Sequence, residues 1–481
     1  MLRRTTSLAL IVLAASSAPL LSARGQERPT RGQPLAPRAS EARAVLVEAK
    51  AAALRMRDDY QRRQVLDEVG EAEAEAGDLD AALDTAGRAY PYNMATLTAV
   101  AERLGDSGDP NQARAVVRKL KGGNASTVYA FMAQRQATNG EISQALRTAE
   151  LIEAPEVRRD ALEWVGRRQA ANGDYAEARR TLAAAKAASP DESSYAGRDE
   201  MMIVEAQLAR GEAQAAHAAV SSLKSAETRA AALLGGAETL RRRGDAEVAA
   251  AWLEEALKEL PAGPGREFLL YMAMPTQVRL GQKESAMRSA GTLTSEMRLK
   301  GYAAVAVTCA ELKDLACVNS ALKGMKAAAS TGEKDEELKL FGMRLLALSV
   351  TAALIDNEQS EAASLILADV EQPRDEVSSK MAIEPEVTLQ RVLILARRGR
   401  FEEARSLALK MRPDSVADTK RGTSLRLLAF LQTQKRGANT ARRWASALPG
   451  AEDRAYALLG VAQAQLGIGD AKLSYSALNI H

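Results

Sequence analysis

The sequence predicts an all-α chain, an α-solenoid of about twelve antiparallel helical hairpins, and three observations carry that expectation. Aromatic residues make up only 4% of the 481 residues, while alanine, the best helix former, is abundant; strands favour aromatic and β-branched residues instead. Apolar residues recur at helical spacing from Glu41 onward and never give way to the period-two alternation of a strand. Short turn signals return at intervals mostly in the thirties, the length of one helical hairpin.

The first element is a targeting signal. Arg3 and Arg4 precede a mostly apolar stretch from Ser7 to Leu21, and Ala23-Arg24-Gly25 offers small residues to a signal peptidase before Gln26. The stretch contains Ser16, Ser17 and Pro19 and falls short of the ~20 apolar residues a bilayer span needs. Residues 1–25 are therefore read as a signal peptide, and a periplasmic or secreted location is expected, with no integral membrane span after cleavage. Cleavage also changes the charge. Residues 1–25 hold three arginines and no acid, so the 65 basic residues fall to 62, matching the 62 acidic ones. A neutral chain without a concentrated basic face argues against nucleic acid as a partner. Residues 26–40, with Pro29, Pro34 and Pro37, read as a flexible leader, and 41–481 as one repeat array.

Within the array the turn signals are Gly77-Asp78, Gly140-Glu141, Gly173-Asp174, Gly211-Glu212, Gly244-Asp245, Gly281-Gln282 and Gly399-Arg400. Weaker versions stand at Gly108, Lys313, Asn357, Gly437 and Gly469. Glycine can end a helix in the left-handed region, and an acid beside it suits the positive N-terminus of the next helix. After Gly173, the residues Ala178, Leu182 and Ala185 share one helix face, and Pro190 is placed to stop that helix. Pro91, Pro155, Pro261 and Pro413 follow their glycines at comparable distances. Gly70 and Gly166, each seven residues before a turn glycine, mark expected close contacts between helices.

The stretches Gly173-Asp174-Tyr175-Ala176-Glu177-Ala178 with Pro190, Gly77-Asp78-Leu79-Asp80-Ala81-Ala82 and Gly399-Arg400-Phe401-Glu402-Glu403-Ala404 resemble the tetratricopeptide repeat (TPR) family. The resemblance covers essentially residues 41–481. It implies a right-handed superhelix whose first helices line a concave side that takes peptides or partner domains. Positions 13, 10 and 6 residues before the turn glycines then supply a candidate groove: Gln64, Asp67, Glu71, Gln134, Asp160, Glu163, Arg167, Glu238 and Tyr271. Its N-terminal part is acidic and would suit a basic segment. Tyr271 is the expected aromatic anchor, because Tyr, Trp and Arg dominate binding hot spots. Tyr129 and Tyr302 are expected in the core.

Catalytic chemistry finds little support. The chain has two histidines, one of them its last residue. No zinc-protease, nucleophile-elbow, phosphate-loop or paired-thiol motif occurs. Ser221/Lys224 and Ser320/Lys323 share the spacing of a serine–lysine nucleophile pair but lack its companion motifs. His217 and the run Arg241-Arg242-Arg243 are read as packed or solvated helix positions. Glu254/Glu255 would matter only across a cleft. No metal ligand set and no cofactor is expected. Cys309 and Cys317 lie four residues either side of Lys313, and an oxidising compartment would allow a disulfide between them, with two buried thiols as the other reading.

The leading expectation is a non-catalytic exported scaffold or adaptor that binds a protein or peptide. A cell-envelope glycan or peptidoglycan enzyme on a helical superhelix is one alternative. An accessory factor in polysaccharide export or outer-membrane assembly is another.

Overall fold

The computed structural model describes residues 37–108, 110–119, 124–189, 198–260, 264–330, 336–371, 384–412 and 420–468. Residues 1–25, read as a signal peptide, and most of the expected leader lie outside this set, as do Pro190, Pro261, Pro413 and Gly469. Every regular element among the described residues is an α-helix. In chain order they are α1 (Pro37–Ala53), α2 (Asp59–Glu75), α3 (Leu79–Ala89), α4 (Met94–Ser107), α5 (Pro110–Lys119), α6 (Asn124–Thr138), α7 (Ile142–Glu150) and α8 (Pro155–Asn172). Next come α9 (Tyr175–Ala188), α10 (Arg198–Ala209), α11 (Ala213–Ser221), α12 (Ala226–Arg243), α13 (Ala246–Lys258), α14 (Pro264–Arg279), α15 (Lys283–Thr292) and α16 (Ser295–Glu311). The last are α17 (Leu315–Ala329), α18 (Glu336–Asp356), α19 (Ser360–Glu371), α20 (Glu384–Arg397), α21 (Phe401–Lys410), α22 (Lys420–Arg436), α23 (Ala438–Ser446) and α24 (Ala451–Leu466). The first helix thus begins at Pro37, inside the expected leader.

The helices fall into two compact units. One comprises Leu104–Ala113 and Ala125–Leu260; the other comprises Ala36–Arg103, Arg114–Asn124 and Pro261 onward. In the first unit α8 packs on α9 and α12 on α13 as hairpins, while α8, α10 and α12 are successive neighbours. The core lies between these layers, with Ala137, Ala145 and Val165 in one cluster and Ala170, Ala178, Ile203 and Ala206 in another. In the second unit α2 packs on α3 and α16 on α17, and α14, α16, α18, α20, α22 and α24 follow one another. Helix α24 also packs on α1 and α2.

The turn glycines behave as the sequence requires. Gly77, Gly108, Gly140, Gly173, Gly211, Gly244, Gly281 and Gly399 all take positive φ. At Gly173, with φ 95° and ψ 2°, the amide donates to Ala170, and Asp174 N–H reaches Gln169 O at 2.9 Å, which closes the left-handed helix end. Two weaker turns shift by one or two residues. Glu358, not Asn357, adopts positive φ (64°) alongside Lys313 (58°), and α24 ends on Gly467 (φ 70°), upstream of Gly469. The acids after the turns act in two ways. Asp78 and Asp314 accept amide hydrogen bonds from Ala81 and Cys317, whereas Asp174 and Asp245 make no such capping bond. Pro155 opens α8 at its first position instead of ending α7, where a missing N–H costs nothing.

The close approaches expected at glycines are present. A Cβ on Gly166 would stand 2.9 Å from Leu182 Cγ, and one on Gly70 would overlap the Thr96 hydroxyl.

In three hairpins the buried residue four before the turn reaches across to the second helix. Thr148 donates to Gln136 at 2.7 Å, Gln277 donates to Ser285 at 3.3 Å, and Thr85 donates to Glu73. Cys309 and Cys317 take the places of Gln277 and Ser285 in the α16–α17 hairpin, with Cα atoms 5.8 Å apart and their sulfurs bonded.

Arginine supplies a second linkage that the sequence reading missed. Arg210 donates to Asn172 O at 3.1 Å, Arg436 to Gly399 O at 3.2 Å, Arg243 to Ala209 O, and Arg397 to Ile355 O. Each guanidinium sits at the end of one first helix and caps the carbonyl end of the preceding first helix, where carbonyls lack intrahelical partners. A third pattern places an arginine six residues after a buried apolar loop residue whose carbonyl it binds: Met56/Arg62, Ile152/Arg158, Leu223/Arg229 and Leu448/Arg454.

Candidate functional site

The candidate groove residues divide between the units, and each group stands on its own. In the first unit α8 carries Asp160, Glu163 and Arg167 on one face, because positions three, four and seven apart align on a helix. The opposite face buries Ala161, Val165 and Gln169 in the core. Asp160 is exposed and pairs with Arg159 at 2.9 Å, and Glu163 lies 3.9 Å from the same guanidinium.

The same face presents Trp164, which the offsets of 13, 10 and 6 passed over. Trp164 is 37% exposed, whereas Trp252 and Trp444 are 4% and 7% exposed. The Arg167 guanidinium lies 5.2 Å from the Trp164 ring centre, a cation–π arrangement. On the neighbouring helix α10, burial raises the Glu205 carboxyl above its ordinary range, and Arg167 partly opposes that rise. This patch combines an apolar ring, a stacked guanidinium and a desolvated carboxyl. The ring and the guanidinium can therefore offer a partner apolar surface and hydrogen-bond donors together.

Other first-unit candidates are less available. Glu238 is held by Arg241 at 2.9 Å and Arg242 at 2.8 Å on its own helix, which also accounts for two members of the arginine run. Gln134 is half-buried on α6.

In the second unit, α2 carries Gln64, Asp67 and Glu71. Gln64 donates to the Tyr60 hydroxyl at 2.7 Å, and Tyr60 meets Tyr92 edge-on with ring centres 5.1 Å apart. Asp67 is a structural residue. It accepts the backbone amides of Ala95 at 3.0 Å and Thr96 at 2.8 Å, capping the start of α4. Glu71 is pushed up to about 7, first by burial and then by Glu68, Asp67 and Glu75, with Arg426 opposing.

Tyr271 is not the exposed anchor expected. It is 6% exposed, and burial raises its phenol to about 12. Tyr129 is buried, and Tyr302 is half-buried against Gly324.

The motifs weighed for catalysis have ordinary partners. Ser221 and Ser320 donate to the carbonyls of His217 and Ala316 on their own helices, so neither hydroxyl is given to a lysine. His217 pairs with Glu255 at 2.9 Å and meets Trp252 edge-on, while Glu254 pairs with Lys258 at 2.7 Å. Among the described residues no cluster of His, Cys, Asp or Glu could hold a metal ion. None of their helices is long and apolar enough to cross a membrane.

No protein-family model and no curated protein matches this chain. Among solved structures it is similar to a circular tandem repeat protein with novel repeat topology and enhanced subunit contact surfaces. That similarity has 15% identity and a TM-score of 0.18, and covers 85% of this chain and 81% of the other.

Proposed function

We propose that this chain is an exported, non-catalytic helical-repeat protein of tetratricopeptide type. It binds a protein or peptide partner through the faces of its first helices. The observation that supports this reading is the exposed Trp164 stacked by Arg167 on α8, beside Glu205 of α10. A folded chain that buries its other two tryptophans has an apolar reason to bury this one. Trp and Arg together form the composition of interface hot spots. The repeated hairpins supply the rigid support such a face needs. The basic and apolar N-terminal pattern of residues 1–25 supports a periplasmic or secreted location for the mature chain.

The test is affinity capture with mature 26–481 from crosslinked envelope and culture fractions, followed by mass spectrometry. The comparison protein carries Trp164→Ala and Arg167→Ala. A specific protein partner should be enriched by the native chain and lost by the double variant at equal thermal stability. Enrichment of glycan fragments without any protein would overturn the reading in favour of an envelope glycan function.

A further inference from the structure

Helix α24 is enclosed on all sides. Residues Ala455 to Gln463 are buried without interruption, and a helix that is apolar all round needs neighbours on every side. Helix α22 covers one side, where a Cβ on Gly460 would overlap the Arg426 backbone carbonyl. Helix α1 covers another, and its buried stripe is Ala42, Val45, Leu46, Ala49, Ala52 and Ala53. This stripe recurs at three- and four-residue intervals, as one helix face requires. In the other hairpins a first helix packs on the helix that follows it in sequence, as α8 does on α9 and α12 on α13. For α24 that place is taken by α1.

Polar contacts tie α1 to α23 and to α24. Arg442 on α23 donates to Glu48 Oε1 at 3.1 Å across 394 residues of sequence, and the Ser446 hydroxyl donates to Glu48 Oε2 at 3.0 Å. Gln465 reaches Glu41 at 3.4 Å. On its other flank α1 is tied to the following hairpin, where Arg43 donates to Ala76 O at 2.9 Å and Lys50 pairs with Asp84 at 3.0 Å.

We propose that α24 and α1 are the two helices of a single repeat, split between the first and last described helices of the chain. Repeat arrays ordinarily end in capping units with a polar outer face. Here α1 and α24 cover each other's apolar faces. The apolar face of α1 and that of α24 are satisfied only when both segments are present. The second unit therefore completes its core only once α24 has been made and has docked, and a chain without docked α24 leaves Val45 and Leu46 uncovered.

The experiment uses the intact mature chain. Glu41→Cys with Gln465→Cys, the pair that joins α1 to α24, should be linked within one molecule by a short bis-maleimide, located by peptide mapping and absent from either single variant. Separately, Leu46→Asp should lower hydrogen-exchange protection across residues 451–466 at least tenfold. Val47→Asp, on the exposed side of the same helix at 67%, should leave that protection unchanged. Failure of the cysteine pair to crosslink in a protein with native helical content would overturn the proposal. So would unchanged protection of 451–466 in a folded Leu46→Asp variant. If Leu46→Asp does not fold, the crosslink decides.

Discussion

Gln277 and Ser285 stand four residues before and four after Gly281 and are hydrogen-bonded at 3.3 Å across the α14–α15 hairpin. Cys309 and Cys317 stand in the same relation to Lys313, one hairpin later. The disulfide thus replaces a polar cross-hairpin contact at an equivalent position. Changing both cysteines to serine should cost about 2–3 kcal/mol, the value expected for opening a short loop. Cys309→Gln with Cys317→Ser should recover part of that loss and be insensitive to reductant. Urea unfolding with and without dithiothreitol checks both statements.

Glu71 makes stability depend on pH. Its carboxyl rises from 4.5 to about 7 through burial and three nearby acids. The folded state therefore holds this proton more tightly than the unfolded chain does. The contribution is full below 4.5 and is lost as pH rises toward 7, beyond which it is flat. Glu71→Gln should stabilise the protein at pH 8 by on the order of 1 kcal/mol, after allowance for solvent screening. At pH 4 the two proteins should unfold together in the same denaturant series.

Two glycines separate packing from helix propensity. Gly166→Ala places a methyl 2.9 Å from Leu182 Cγ and should cost about 1–3 kcal/mol through overpacking. Gly235→Ala meets nothing within 4 Å and should stabilise by about 0.5–1 kcal/mol by favouring the helix. Thermal unfolding midpoints should move in opposite directions.

Lys313 and Glu358 hold the left-handed backbone that glycine takes in the other turns. Lys313→Gly and Glu358→Gly should each stabilise by about 0.5–1 kcal/mol, since relief of the side-chain clash exceeds the added chain entropy. Asn357→Gly should give no such gain. Denaturation midpoints distinguish the three variants.

The hairpins were legible because their punctuation is local. A positive φ favours glycine, and Ala178, Leu182 and Ala185 bury the same face whatever their neighbours are. The site was less legible because groove position depends on packing. Offsets from Gly173 found Asp160, Glu163 and Arg167, yet Trp164 lies on that face nine residues before the turn. A full helical projection of α8 would have found it. Offsets alone could not show that Tyr271 is buried or that Asp67 is committed to capping α4. The Arg210 and Arg243 caps were equally hidden, because carbonyl partners leave no mark on composition. The pairing of α1 with α24 had one trace in the sequence, the apolar run from Ala455 to Ala462, which no single helix face explains.

The most direct test of the binding account replaces Trp164 by the photo-crosslinking residue benzoylphenylalanine in the full chain, with the exposed Arg179 on α9 replaced in parallel. Illumination in intact cells should give a discrete protein adduct from position 164 and none from position 179. Equal adducts from both positions, or none from 164 in a folded and exported variant, would contradict the assignment of the α8 face as the partner-binding surface.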